Sequence, residues 1–283
     1  MKSMKGRKAV NAVMSAVTLS CALAAVVPLI FLLGFLVWKG ASSVNWAFLT
    51  QLPKPVGETG GGMANAIVGS AKLLLLAALF GVPLGLLGGI YLSEFAGWAV
   101  PFFVRYAADL LASVPSIVIG IFAYAVVVLP MHHFSALAGG FALGVMLLPI
   151  VVRNTEEFLR AVPVSLREGS LALGSGHWKM IVSVVIPAGL QGIVTGILLA
   201  LARVAGETAP LLFTAFSNRF WASGWNQPVA SLPVMIYTYA ISPYDDWHRQ
   251  AWAAGLVLLG LVLFVNVLSR LVLARKMAAR RLA

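Results

Sequence analysis

Five long, predominantly apolar stretches of this chain contain no Asp, Glu, Lys or Arg: Ala9–Trp38, Leu73–Ser93, Leu110–Val152, Met180–Ala202 and Gln250–Ser269. A helix needs about 20 mostly apolar residues to cross the roughly 30 Å hydrocarbon core of a bilayer, and each stretch is long enough. Leu110–Val152 has room for two passes. In its middle, Pro130-Met131-His132-His133-Phe134 places a helix breaker and two polar rings where a turn would fall. Six spans follow, at about 13–38, 64–92, 107–129, 135–152, 181–209 and 250–272. In lipid each must be a helix, because every backbone N–H and C=O has to be satisfied within its own segment. The expected fold is therefore an all-α integral membrane protein. Composition agrees, since 10% of the 283 residues are charged against about 25% in soluble domains.

The charges that remain are unevenly placed. Twenty Lys and Arg face nine Asp and Glu, a net charge of +11 that in a soluble protein would raise nucleic acid as a partner. With the first residue inside, fourteen of the basic residues fall in 1–12, 93–106, 153–180 and 270–283. Four fall in the opposite segments: Lys39, Lys54, Arg219 and Arg249. Such a bias places the basic side in the cytoplasm, so both termini are expected there and no nucleic acid is needed to explain the surplus. Lys2, Lys5, Arg7 and Lys8 precede an apolar run that continues to Trp38. A signal-peptide core is about 7–15 residues, so the first span reads as an uncleaved anchor. Thr18 stands where a lipoprotein signal before Cys21 would want Leu, and a lone Cys forms no internal disulfide.

The segments between spans are short of soluble cores and of nucleotide or metal motifs. The outer loop 39–63 ends in Gly60-Gly61-Gly62, which reads as a flexible lead. The outer segment 210–249 carries Trp221, Trp225 and Trp247, either at the membrane surface or on a docking face. There is no G-x-x-x-x-G-K-[ST] loop, and His132-His133 reads as an interfacial turn rather than a metal site. The inner segment 153–180 is the most structured. After Pro163, Ser165-Leu166-Arg167-Glu168 has the form of a capping box opening a short helix, and Gly174 is placed to end it with a left-handed cap.

Intramembrane charge is a functional signal by default. Arg203 and Glu207 are spaced four apart in the fifth span, above Gly192 and Gly196, and helical spacing would put all four in one stripe. Two readings stand: an ion pair packed through the glycines, or an anion pathway. Lys72, inside span two, could snorkel to the interface, hold a structural partner or meet the anion. Arg105 and Asp109, again four apart, suggest an ion pair at the inner end of span three, and Pro83, Pro115, Pro149 and Pro187 suggest kinks or helix boundaries.

Two motifs carry a resemblance. Glu168-Gly169-Ser170-x-x-x-Gly174, nine residues, then Val184-Val185-Ile186-Pro187 resembles the EAA loop of ABC importer permeases, E-A-A-x-x-x-G, nine residues, I-x-L-P. Glu, Gly and Pro match, and the two alanines are replaced by the small Gly169 and Ser170. The string from Ala202 through Arg203, Gly206-Glu207-Thr208-Ala209-Pro210-Leu211-Leu212-Phe213-Thr214 to Ala215 resembles the signature of phosphate ABC permeases of the PstA type. Further matches are Gly61–Ser70, Ile90–Phe95, Ser113–Gly120 and Arg153-x-Thr155-Glu156-Glu157, so the resemblance covers about residues 60–275.

The resemblance implies a type I ABC importer permease core, MetI-like, over 64–275. An N-terminal span and loop at 1–63 would precede it, and a basic cytoplasmic tail at 276–283 would follow. It implies phosphate import across a bacterial inner membrane, with a homologous second permease, two ATP-binding subunits and a periplasmic phosphate-binding protein as partners. This chain would have no catalytic residues, metal or cofactor of its own, ATP-Mg residing on the partner ATPase. Glu168, Gly169, Ser170 and Gly174, in a coupling helix at about 165–175, would meet that ATPase. Arg203 would meet the anion, with Glu207 and Thr208 shaping the site. The alternatives are another oxyanion, such as molybdate or sulfate, or an ATPase-independent secondary transporter, for which no internal repeat is visible.

Overall fold

A computed structural model describes residues 4–281 apart from Val56, Thr59, Ala96 and Trp98, and side chains as far as Leu271 apart from Lys5, Ala99 and Val100. Lys2 and the end of the basic tail, Leu282 and Ala283, lie outside the described residues, as do the side chains of Arg275, Lys276, Arg280 and Arg281. The elements are α1 (Met4–Gly40), α2 (Trp46–Thr50), α3 (Ala64–Glu94), α4 (Ala99–Ser113), α5 (Ser116–Met131), α6 (Ala136–Arg160), α7 (Val164–Ala172), α8 (His177–Val204), α9 (Ala209–Leu212), α10 (Leu232–Ala240) and α11 (Asp245–Arg281). Five of these, α1, α3, α6, α8 and α11, are long and apolar enough to cross a membrane.

The third span, expected as one helix over 107–129, is instead a bent pair. α4 and α5 meet at 101° across Val114-Pro115. Proline disfavours helical backbone in the residue before it, and Pro115 itself is extended at φ −56°, ψ 135°. The chain then restarts, with the Val118 N–H donating to the Pro115 carbonyl at 2.9 Å. α5 runs on through a π-helical turn at Tyr124–Val128. It ends at His132, whose φ of 58° makes the turn expected around His132-His133.

α3 and α6 form the centre of the bundle and pack along most of their length. Gly81, Gly85 and Gly89 recur every fourth residue on α3, so they share one face. A Cβ on Gly85 would stand 2.6 Å from the Val151 Cβ, and one on Gly89 2.5 Å from the Thr155 Cβ. From the other side, Gly140 lies against Leu76 and Gly144 against Phe80. Small residues let backbones approach where lipid offers no hydrophobic drive between helices. Around this pair lie Leu73, Ala77, Leu143, Leu147, Val151, Ala200 and Val204, all buried. α8 closes the pair on one side, and α11 carries α1 on its outer flank. α1 is exposed from Gly6 to Leu32, Cys21 included, and its last turns pack in part, with Gly40 buried.

At the end of the bundle near the α2–α3 connection, Phe48, Met63, Leu232, Tyr239 and Trp247 make a second buried cluster. Trp247 stacks on Tyr239 with centroids 4.3 Å apart, so it serves this core, whereas Trp221 and Trp225 stay exposed. The lead into α3 is seated, against the flexible reading of Gly60–Gly62. The Gly62 N–H donates to the Leu52 carbonyl at 3.1 Å, and a Cβ there would strike the Ala47 carbonyl.

The opposite end carries the buried carboxylates Glu94 and Glu156. Glu156, 3% exposed, accepts from Arg105 Nε at 2.6 Å and Arg153 Nη1 at 3.3 Å, and Arg160 Nε lies 3.2 Å away. Arg105 and Asp109 therefore do not pair with each other. Asp109 pairs with Arg153 at 3.1 Å, because both α4 charges turn toward α6 rather than along their own helix. Gly85→Leu should cost about 1–3 kcal/mol through overpacking, whereas Gly260→Leu, at a position with nothing within 4 Å of a Cβ, should be neutral. Thermal unfolding of the two variants in detergent checks the difference.

Candidate functional site

Two interruptions meet in the bundle. One is the break between α4 and α5. The other is the end of α8, which stops at Val204, short of the expected 209. Gly206 loosens the helix, with its N–H donating to the Arg203 carbonyl at 3.3 Å, and Pro210 starts the short α9. Glu207 lies beyond the helix end, so it does not stack on Arg203 by helical spacing. The two form no ion pair within 4 Å, and neither has another such partner among the described residues. The pairing expected from the four-residue spacing fails because the helix that would impose it has ended.

The two residues meet in a different way. Arg203 and Glu207 line one cavity of about 240 Å³ with Ser113 to Ser116 of the break and with Met146 and Ile150 of α6. Arg203 is exposed to this space and Glu207 half-buried. α5 and α9 are pressed together beside it, since a Cβ on Gly120 would stand 2.7 Å from the Pro210 Cα. Thr208 does not line the cavity; its carbonyl accepts the Leu211 N–H at 3.1 Å and so opens α9. Sequence reasoning missed the serines at the break. The visible signal was Ser-Val-Pro-Ser inside a charge-free stretch, where a proline between hydroxyls interrupts a span without adding charge.

The glycines below Arg203 have a packing role. A Cβ on Gly192 would fall on the Phe158 ring, and one on Gly196 would stand 2.9 Å from the Asn154 Cβ. Asn154 Nδ2 also donates to the Gly196 carbonyl at 3.3 Å. Lys72 is held away from the cavity. Its Nζ donates to the Ala222 carbonyl at 2.6 Å and lies 5.7 Å from the Trp225 ring centroid, so it pins the segment before α10. A further groove of about 270 Å³ between α3, α8 and α11 is apolar but for Asn266, whose amide bonds its own helix at Val262.

The second candidate surface is α7. None of its side chains is buried, and Glu168 and Gly169 are exposed while Ser170 is half-buried. The capping box does not form. Helical backbone begins at Val164, one residue before Ser165, and Pro163 caps it without a side-chain bond. Gly174 ends the segment as expected, at φ +81°, and its N–H donates to the Leu171 carbonyl at 2.9 Å. A Cβ on Gly169, Gly174 or Gly176 would meet nothing within 4 Å, and Leu173 is 88% exposed. The face is apolar, small-residued and open.

Residues 81–278 match the family model described as binding-protein-dependent transport system inner membrane component. A phosphate transport system permease protein PstA of Yersinia pestis is 47% identical over 232 residues, covering 81% of this chain and 78% of its own. A protein of the same name from Xylella fastidiosa strain 9a5c is 46% identical over 260 residues, with coverages of 90% and 89%. Among solved structures, a chain of the MetNI methionine ABC transporter in an inward-facing conformation aligns with a TM-score of 0.59 at 19% identity. The alignment covers 75% of this chain and 94% of that one, and it supports the fold alone.

Lys72→Met should release the segment around Ala222. Hydrogen exchange of the protein in nanodiscs checks this, with faster exchange expected at residues 219–226 and none gained in α6.

Proposed function

The chain belongs to the binding-protein-dependent transport system inner membrane components, and from that membership we infer that it is the phosphate permease subunit of an ATP-driven importer. It is a multi-pass inner membrane protein. The fourteen-to-four basic bias supports cytoplasmic termini and an α7 that faces the cytoplasm.

The observation that carries the substrate assignment is Arg203. It is a cation without an ion-pair partner among the described residues, facing a cavity built where two helices stop inside the bundle. Burying a guanidinium at membrane depth is costly, and such residues face a polar pathway. A phosphate oxyanion there would gain charge-assisted, fork-shaped hydrogen bonds from Arg203. Glu207 on the same wall opposes a second negative charge, which weakens binding and lets the anion leave. Thr208 acts at one remove, by setting the turn that places Glu207.

α7 supports the second half of the reading. Glu168, Gly169, Ser170 and Gly174 form an open coupling surface for a separate ATPase chain that carries ATP-Mg, and the sequence of this chain contains no phosphate-binding loop of its own. A second permease completes the pathway, two ATP-binding subunits dock beneath, and a phosphate-binding protein delivers the anion to the face bearing Trp221 and Trp225. Closure of the ATPase dimer moves the coupling helices and opens the cavity outward, and hydrolysis resets it inward.

Radiolabelled phosphate uptake in cells lacking this gene tests the cargo. High-affinity uptake that persists at the wild-type rate, with molybdate or sulfate uptake lost instead, reassigns it. Arg203→Ala should assemble normally yet lower uptake at least tenfold, since a charge-assisted bond is worth roughly 1.5–3 kcal/mol. A variant that fails to assemble would instead give Arg203 a structural role. Gly174→Trp, which strains the left-handed cap and crowds the open face, should lose the co-purifying ATPase.

A further inference from the structure

α7 has an open outer face, yet one of its side chains, half-buried, turns inward. Arg167 Nη2 donates to Glu94 Oε1 at 2.9 Å and to the Leu159 carbonyl at 2.7 Å, and Nη1 donates to the Val162 carbonyl at 3.3 Å. Its side chain is 19% exposed and that of Glu94 is 4% exposed. Glu94 is the last residue of α3, and Leu159 lies in the last turn of α6. One guanidinium therefore joins the coupling helix to the ends of both central helices. Of the other α7 side chains Ser170 is half-buried and the rest are exposed.

From there the contact is continuous to the cavity. α3 is locked to α6 through Gly81, Gly85 and Gly89, and α6 supplies Met146 and Ile150 to the cavity wall. α7 also touches the first turns of α8 at His177–Val185, but Arg167 is its hydrogen-bonded tie to the ends of α3 and α6. The planar fork suits the task, because it fixes direction as well as distance, which a lysine ammonium does not. Its Nε is buried without a partner, so the seat is not saturated in this conformation.

We propose that Arg167, anchored on Glu94, is the positioning residue that transmits movement of the coupling helix to α3 and α6 during phosphate import. The proposal rests on the reading of α7 as the ATPase contact. Its test separates the two. The complete complex with its ATPase and phosphate-binding protein is reconstituted in vesicles, and radiolabelled inorganic phosphate taken up per ATP hydrolysed is measured for wild type, R167Q, R167K and E94Q.

The ATPase should co-purify with all three variants, and hydrolysis should stay within twofold of wild type. Phosphate moved per ATP should fall about tenfold in R167Q and E94Q, in the range of single-residue effects on coupling, with R167K between them and wild type. An unchanged ratio, whether both rates hold or both fall together, overturns the proposal. Should R167Q fail to assemble, E94Q and R167K decide on the same ratio, and loss of assembly in all three shows a purely structural seat. If the wild-type chain does not retain the ATPase, the reading of α7 fails rather than the role of Arg167.

Discussion

In a bilayer two helices gain little by hiding methyl groups from each other, since lipid tails are as apolar as leucine. The contact between α3 and α6 must be held by closeness itself, through dispersion between backbones brought within reach by glycine. Gly81, Gly85 and Gly89 on one side and Gly140 and Gly144 on the other make that approach possible. Everything functional is referred to this pair. α8 packs on α6 through Gly192 and Gly196, which sets where its last turn falls and hence where Arg203 stands. Ser70 of α3 accepts the Leu232 N–H at 2.8 Å, which fixes the start of α10.

The polar end of the bundle follows a different rule. A buried carboxylate is costly unless it is paired and hydrogen-bonded, and each buried carboxylate here binds an arginine from another helix, Glu156 in addition to two on its own. Glu156 draws Arg105 from α4, and Glu94 draws Arg167 from α7. These pairs join separate helices at the charged end of the bundle. They do at the charged end what glycine does in the middle, and their geometry is directional where dispersion is not.

Much of this was legible in the sequence, because the strongest signal, the absence of charge over 20 or more residues, is a physical requirement of the membrane. Five of the six spans and the short helix ending at Gly174 needed only that and a glycine. What was not legible depended on partners distant in sequence. Ser165-x-x-Glu168 has the letters of a capping box, but Pro163 presets the first turn and helical backbone starts one residue early. Arg105 and Asp109 have the spacing of an ion pair, but α6 offers each a better partner. Sequence leaves Lys72 three roles, and the Ala222 carbonyl that faces it selects the structural one. Spacing along one helix names the candidates for contact, and the neighbouring helix chooses among them.

Arg203 and Glu207 show the same principle at the site. A continuous α8 would have stacked the two side chains one turn apart and favoured an ion pair, leaving the cavity without an unpaired guanidinium. Gly206 ends the helix between them. At the same place Pro115 ends α4 and swings the chain by 101°, opening room for a polar cavity. Neither interruption would suffice alone. An unbroken third span would cover Arg203 with apolar side chains, and an unbroken fifth would neutralise it. A membrane helix pays for each broken turn with unsatisfied backbone groups, which is tolerated where they are buried in protein or face a water-filled cavity. Two such breaks meeting at one arginine are what the proposed anion pathway requires.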